Sequence, residues 1–484
     1  MGLFQKLLQK TALSDVVQPN AQPRGLPSID LAVQHHLRQR LSIVQQAQHF
    51  FYIDVVGTCN LRCPSCPVGN APAVADKGLM SVEKFRQVLA KIRADYPDER
   101  LIAELYNWGD PSLHPELPAL IRLTREFGMQ SGLSSNLNVF PHMREVVKEN
   151  PGYIRVSLSG YYNDVYQTTH RRGDINAVKA HLYQLRHLLD RYKSTTIVQV
   201  GFHVYRSNFP TDFLKMRELC DELQFLFDPV LASFMPAEKA VAAVDDKIAP
   251  ADRSIIDNLV LSPKRWHELY EAEGIRLDDC QYRKDRTTIN FDGTVSLCCA
   301  VYDADKIIAD DFVSVPVEEL RRRKYSQKFC ESCMSRSMHQ LFTGVPSEGA
   351  AKEAASVLGP LYDAFERENR MIGSLDYVVI DNRFRRVDDI YQAGMRALSR
   401  GGDDGVAEAE ECFVLLTRQA PRFAEGFFQA ARLAVRRGDI ARGAELMSEA
   451  ARLMPDHALY RREADQLCAA LPIDSETTSA SSRS

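Results

Sequence analysis

Three cysteines fall within eight residues, Cys59-Asn60-Leu61-Arg62-Cys63-Pro64-Ser65-Cys66, and no other feature narrows the fold and chemistry of this chain so far. A loop this tight can wrap three corners of a 4Fe–4S cube, whereas most electron-carrier clusters use four thiolates, so three leave one iron open. Zinc sites are more often built from CxxC pairs, and no fourth Cys or His lies nearby in sequence. A zinc site, or a cluster closed by a distant fourth ligand, is the competing reading. The run before the loop, Phe51-Tyr52-Ile53-Asp54-Val55-Val56, is β-branched and aromatic and reads as a strand. The cysteines therefore stand at the carboxyl end of a strand, where α/β sheets carry their chemistry.

From that strand onward the pattern alternates. Strands are predicted at Leu101–Tyr106, Met129–Ser134, Tyr153–Leu158, Thr195–Tyr205 and Phe225–Leu231. Helices are predicted between them at Ser81–Arg93 (Ser81 as N-cap), Pro115–Phe127, Met143–Glu149, about Ile175–Tyr192 and Thr211–Leu223. About six βα units in succession imply a parallel sheet curved into a full or partial barrel. The predicted class is α/β: a partial (β/α)6 TIM-type barrel, a small auxiliary domain and an α-helical C-terminal region.

A second group of cysteines follows. Cys280 precedes Ile289-Asn290-Phe291-Asp292-Gly293-Thr294-Val295-Ser296-Leu297-Cys298-Cys299, a hairpin signal around Asp-Gly. Cys330 and Cys333 then form a CxxC. Cys280, Cys298, Cys330 and Cys333 are the four candidates to close a coordination sphere, of zinc or of a 4Fe–4S cluster. Cys299 is left spare because adjacent strand residues face opposite ways. Cys220, Cys412 and Cys468 stand alone and read as buried small hydrophobes.

Near the C-terminus the chain is helical with an internal period. Pro421 and Pro455 lie 34 residues apart, and the same offset pairs Ala407 with Ala441, Ala409 with Gly443 and Phe413 with Met447. This pattern resembles tetratricopeptide repeats. The divisions expected are a helical leader (1–48), the barrel (49–235), a linker with a helix (236–275), the auxiliary domain (276–345), a helical connector (346–385), repeats packed on the enzyme body (386–472) and a disordered tail (473–484).

Bulk properties bound the partners. Lys+Arg 60 against Asp+Glu 64 gives a net charge of -4, which supplies no attraction for nucleic acid or an anionic membrane. No apolar run reaches the roughly 18–20 residues of a membrane span. Met1–Asp15 is a short amphipathic stretch that reads as a surface helix and lacks the pattern of an export signal. Clustered cysteines without such a signal point to metal binding in the cytoplasm.

The cysteine motif resembles the radical S-adenosylmethionine superfamily, and the resemblance extends over about residues 50–340. It implies that the open iron chelates S-adenosylmethionine, whose reductive cleavage yields a 5′-deoxyadenosyl radical that abstracts hydrogen from substrate. Asn107-Trp108-Gly109-Asp110-Pro111 resembles the family's "GGEP" element, implying a contact from Gly109 or Asp110 to the methionine ammonium. Ser134-Ser135-Asn136 and Val156-Ser157-Leu158-Ser159-Gly160 resemble the polar ends of the family's next strands, making Asn136 and Ser157 candidate contacts. Arg171-Arg172-Gly173 resembles the "RG" that follows, making Arg172 a candidate for the methionine carboxylate. Ser65 departs from the family, which often has an aromatic residue there. The second cysteine group resembles the SPASM/twitch extension in its shorter, single-cluster form, and His339 reads as a surface residue rather than a ligand. The resemblance implies a second 4Fe–4S cluster, a low-potential reductant such as flavodoxin or ferredoxin, and a peptide or small polar substrate. The repeats suit an extended chain or a protein partner. The alternatives are an iron–sulfur electron-transfer or scaffold protein and a helical-repeat adaptor with a vestigial barrel.

Overall fold

The computed structural model of the chain describes residues 26, 29–45, 47–70, 78–345, 347–373, 377–380, 383–420, 423–454 and 457–470. The Met1–Asp15 stretch, Pro421, Pro455 and the tail lie outside these residues.

Six strands form in the order expected: β1 (His49–Ile53), β2 (Leu101–Glu104), β3 (Gln130–Ser135), β4 (Tyr153–Leu158), β5 (Ile197–Val204) and β6 (Leu226–Leu231). Each is parallel to the next, and their spatial order follows the chain. Serial parallel neighbours joined by helical crossovers curve a sheet in one direction, giving a partial barrel. The crossover helices follow from local chemistry. Val82–Asp95 buries Phe85, Val88, Leu89 and Ile92 along one stripe, and the Ser81 side chain caps it by accepting from the Lys84 N–H. Ile175–Tyr192 is capped by Asp174 and ends at Lys193, whose φ of 49° turns the chain out of the helix.

Three departures are informative. β1 stops at Ile53 instead of running to Val56, because the buried Asp54 carboxylate turns away to accept from the Trp108 and Gly109 N–H groups at 3.3 and 3.2 Å. Residues 237–272, expected as a linker with one helix, form three helices, Ala237–Val244, Arg253–Asn258 and Pro263–Ala272. The hairpin around Gly293 is not a separate sheet. β7 (Arg286–Ile289) runs parallel to β1, and β8 (Val295–Ser296) and β9 (Ile307–Ala309) add to it antiparallel, so one nine-stranded sheet runs from β6 to β9. One continuous core accordingly holds Phe51 of the barrel, Ile289 and Phe312 of the hairpin region, and Tyr362 and Phe365 of the helix Pro360–Gly373.

The C-terminal region is helical: Val387–Arg400, Gly402–Gln419, Ala424–Arg436, Ile440–Leu453 and Ala458–Ala469. It has its own core, in which Phe413 and Met447, paired by the 34-residue offset, are both buried. Gly438, at φ 87°, makes the turn and Asp439 caps the next helix, accepting from the Arg442 N–H at 3.0 Å. Ala407 and Ala441 are exposed rather than at a helix crossing. Of the solitary cysteines only Cys220 is buried; Cys412 is half-buried and Cys468 exposed.

Candidate functional site

The cysteine loop is held down from two sides. Its own backbone closes through the Cys66 N–H donating to the Cys63 carbonyl at 3.2 Å, and the Arg62 guanidinium donates to the Cys59 and Leu61 carbonyls at 3.0 and 2.8 Å. Gly69 packs so closely that a Cβ there would lie 2.6 Å from both the nitrogen and the oxygen of Cys63. The loop after β2 presses on the other side. The Asp110 N–H donates to the Thr58 carbonyl at 3.0 Å, and a Cβ on Gly109 would fall 1.6 Å from the Val56 carbonyl oxygen. The Gly109 position thus serves backbone approach.

Cys59, Cys63 and Cys66 line one cavity of about 280 Å³ at the carboxyl ends of the strands, together with Gly109, Asp110, Asn136 and Ser157. Arg172 does not line it; it is exposed, at φ 69°, on the turn after the helix Asn163–Thr169. Burial pushes all three thiols up, Cys59 to about 12, with the neighbouring Asp110 adding to the shift. Such thiols become thiolates when a cationic centre binds them.

Asp110 is buried and fully engaged. Its carboxylate accepts from the Ser112 N–H at 3.0 Å, the Ser112 hydroxyl at 2.6 Å, the Ser135 hydroxyl at 3.1 Å, the Asn136 N–H at 2.9 Å and the Asn136 amide. The side chain therefore ties the β2 loop to the end of β3, leaving backbone carbonyls of 107–109 as the acceptors open to a ligand. Asn136 in turn donates to Asn60 Oδ1 at 2.8 Å and approaches Cys59 Sγ at 3.6 Å.

His170, His203 and Tyr205 also line this cavity, and sequence reading missed them. His203 and Tyr205 follow from the i, i+2 rule at the end of β5. His170 lies in the loop after β4, stacked on Tyr166 at 4.6 Å, with Nδ1 2.9 Å from the Ser159 hydroxyl. Burial lowers its pKa to about 4, so its ring is neutral.

The second cysteine group also converges. Cys280, Cys298, Cys330 and Cys333 line a single small cavity walled by Leu297, Phe329 and Phe342. Burial raises the pKa of each thiol, most strongly for Cys298. Cys299 faces the other way, into a larger chamber. His339 is not a surface residue. It is 4% exposed and lines the same cavity, and neither ring nitrogen has a hydrogen-bond partner. The short helix Met338–Phe342 turns it inward, an orientation that an isolated five-residue helix does not reveal from sequence. Among the described residues no three Cys, His, Asp or Glu side chains are placed to hold a single metal ion.

The larger chamber measures about 580 Å³. It shares Tyr106, Trp108 and His203 with the first cysteine cavity and Tyr282 and Phe342 with the second, so it lies between them. Among the described residues no helix is long and apolar enough to cross a membrane.

No protein-family model matches the chain, and no curated protein does. Among solved structures it is similar to native anSMEcpe with bound AdoMet, at 14% identity over 67% of this chain and 99% of that chain, with a TM-score of 0.42. It is similar to Streptococcus suis SuiB bound to precursor peptide SuiA, at 10% identity over 69% of this chain and 77% of that chain, with a TM-score of 0.40. It is also similar to BtrN in complex with AdoMet and 2-DOIA, at 10% identity over 62% of this chain and 89% of that chain, with a TM-score of 0.33.

Proposed function

We propose that this chain is a radical S-adenosylmethionine enzyme that holds a 4Fe–4S cluster on Cys59, Cys63 and Cys66 and an auxiliary 4Fe–4S cluster on Cys280, Cys298, Cys330 and Cys333. The observation that carries the reading is the convergence of three thiols, and no fourth, on one cavity at the carboxyl ends of a parallel sheet. The chemistry supplied by the bound cofactors is reductive cleavage of S-adenosylmethionine and hydrogen abstraction from the substrate.

The chain's own groups bind and orient. The carbonyls of 107–109 are the acceptors for the methionine ammonium, and Asn136 and Ser157 face the rest of the cofactor. Asp110 holds the two loops in register. Trp108, whose indole N–H donates to the Val301 carbonyl at 3.0 Å, forms part of the wall between this cavity and the chamber in which substrate lies. What supports a cluster over zinc at the first site is the three-thiol loop with no fourth Cys or His nearby in sequence, where zinc sites are more often built from CxxC pairs.

The substrate is a peptide or a small polar metabolite, and a flavodoxin or ferredoxin supplies the electron. Residues 386–472 serve as a docking unit for an extended chain or a protein partner, and the enzyme works in the cytoplasm.

Anaerobic reconstitution tests the reading, with iron counting and a dithionite-dependent assay for 5′-deoxyadenosine, beside a Cys59→Ala/Cys63→Ala/Cys66→Ala variant. About eight irons per chain, falling to about four with loss of cleavage in the variant, is the expected result. Full iron loading with no 5′-deoxyadenosine, with and without candidate peptides, would favour an electron-transfer protein.

A further inference from the structure

One charge in the chamber lacks a partner. Arg155 is the third residue of β4, two before Ser157, so it points into the barrel from the same face. Its guanidinium lies across Gly201 of β5, where a Cβ would sit 2.6 Å from Nε and 2.9 Å from one terminal nitrogen. Any other residue at 201 would displace it. Yet among the described residues no carboxylate pairs with Arg155, and no acceptor takes a hydrogen bond from its guanidinium.

No charged or titratable neighbour forms an ion pair with Arg155. Glu104 is buried and accepts from the Tyr153 hydroxyl; burial raises its pKa to about 7 against the pull of nearby cations, Arg155 among them, but the two form no ion pair. His203 is held down at about 3, first by burial and then by Arg155 itself. Arg286, on β7, is a second cation. Glu366 lines the same chamber from the helix Pro360–Gly373 without pairing with Arg155. A half-buried guanidinium facing an open chamber keeps its donors free for a ligand.

We propose that the chamber binds a substrate bearing an oxyanion, a carboxylate or a phosphate, with Arg155 as its fork and the rest of the molecule against Trp108, Trp266 and Tyr282. The inference rests on the chamber being the substrate cavity of the enzyme proposed above. The group recognised is distinct from the methionine carboxylate, because Arg155 lines the chamber and not the three-cysteine cavity. An uncharged, purely apolar substrate is excluded.

The chain has only two tryptophans, Trp108 and Trp266, and both line this chamber, so their emission reports on it directly. The iron-reconstituted full-length protein is titrated with benzoate, phenyl phosphate and the neutral isostere benzamide, with and without S-adenosylmethionine. The expected result is saturable change with benzoate or phenyl phosphate at least tenfold tighter than with benzamide, and the tighter of the two acids identifies the group. Arg155→Met should abolish that tenfold preference while leaving benzamide binding unchanged. Arg155→Lys should retain charge recognition but lose most of the advantage of a planar carboxylate, since it keeps the charge without the fork. Equal binding of acid and amide, or unchanged acid binding in a folded Arg155→Met protein, would overturn the proposal. Displacement of benzoate by S-adenosylmethionine would also overturn it, by giving Arg155 to the cofactor. Formation of 5′-deoxyadenosine is measured separately, so loss of anion recognition with cleavage intact refutes this inference alone.

Discussion

The two cysteine cavities are built from the same thiol chemistry in opposite ways. In the first, all three thiols come from one eight-residue loop, and the wall includes the polar groups Asp110, Asn136 and Ser157 beside aromatic residues such as Tyr106, Trp108 and Tyr205. In the second, four thiols come from three separate segments around residues 280, 298 and 330–333, and the wall is Leu297, Phe329 and Phe342. An incomplete donor set in a chamber-facing pocket suits an exchangeable ligand. A complete set in an apolar pocket suits a permanent one. The difference also separates stability from activity. A centre held within eight residues closes almost no chain, whereas one joining residues 280 and 333 closes a loop of more than fifty.

The sharpest way to break this comparison is to remove each set of thiols separately. Cys298→Ala/Cys333→Ala should lower the unfolding temperature of reconstituted protein by roughly 5–10 °C, because it unties β8 from the helix Lys328–Ser335. Cys59→Ala/Cys63→Ala/Cys66→Ala should change it by no more than about 2 °C while abolishing S-adenosylmethionine cleavage. Scanning calorimetry on the two variants decides. Equal temperature losses would mean that the first centre is also a structural staple.

Between the two cavities the buried Glu104 offers a pH test. Its folded pKa is raised to about 7, from 4.5, by burial. Between those values the folded chain keeps a proton that the unfolded chain has released, so this group's contribution to stability falls as pH rises through the window and is fully lost above about 7. The loss is roughly 3 kcal/mol. Glu104→Gln still accepts from the Tyr153 hydroxyl and should erase that slope. Denaturant unfolding of both proteins at pH 5 and pH 8 should show the parent losing roughly 3 kcal/mol relative to the variant. Parallel pH profiles would mean that Glu104 is ionised in the fold and serves Arg155 as a counter-ion.

How far the sequence carried these sites depended on whether the signal was local. Tyr153–Leu158, Met143–Glu149 and Ile175–Tyr192 formed at the bounds their periodicity predicted, and Ser81 capped its helix, because each rests on chemistry within a few residues. Cys298 and Cys299 face different cavities as expected, but both lie beyond β8, in the turn that follows it, so strand alternation is not what separates them. The pairing of β7 with β1 was not legible, since it joins residues 236 positions apart in register, Phe50 with Arg286, and a hairpin signal is silent about the neighbour it will find. The inward turn of His339 and the exposure of Arg172 were likewise set by packing from distant elements. Arg155 is the instructive case. Strand alternation puts Arg155 on the same interior face as Ser157, and only the space made by Gly201 on the next strand shows that the charge can stay there.

Asp110→Asn tests the polar half of the comparison. Oδ1 and Oδ2 together accept from Ser112, Ser135 and Asn136, and an amide NH2 in place of one oxygen would face donors. The expected cost is roughly 2 kcal/mol of stability. S-adenosylmethionine affinity should fall about tenfold, as the 107–109 carbonyls lose their register, at roughly 1.4 kcal/mol per tenfold. Equilibrium dialysis with labelled cofactor measures this, and the iron retained by a Cys59→Ala/Cys63→Ala/Cys66→Ala background carrying the same change should not move. A fall in that iron would show the two cavities to be mechanically coupled.

The smallest effect expected is at Cys299. It neighbours a ligand in sequence, and burial raises its thiol to about 12, with Arg286 pulling it back. Its side chain nevertheless lines the chamber and not the four-cysteine cavity. Cys299→Ser should therefore leave about eight irons per chain and an unchanged iron–sulfur spectrum, with stability altered by no more than about 0.5 kcal/mol. A spare thiol this close could substitute for Cys298 if the strand slipped by one residue, but β8 is held against β7 by Thr288 pairing with Ser296 and Ile289 with Val295, and against β9 by Val295 pairing with Ala309 beside a bulge. A one-residue slip would turn Val295, now fully buried, to the opposite face, so the sheet selects the ligand before iron arrives. Loss of about four irons in Cys299→Ser would reverse that assignment and make the apolar cavity, rather than the strand register, the feature misread.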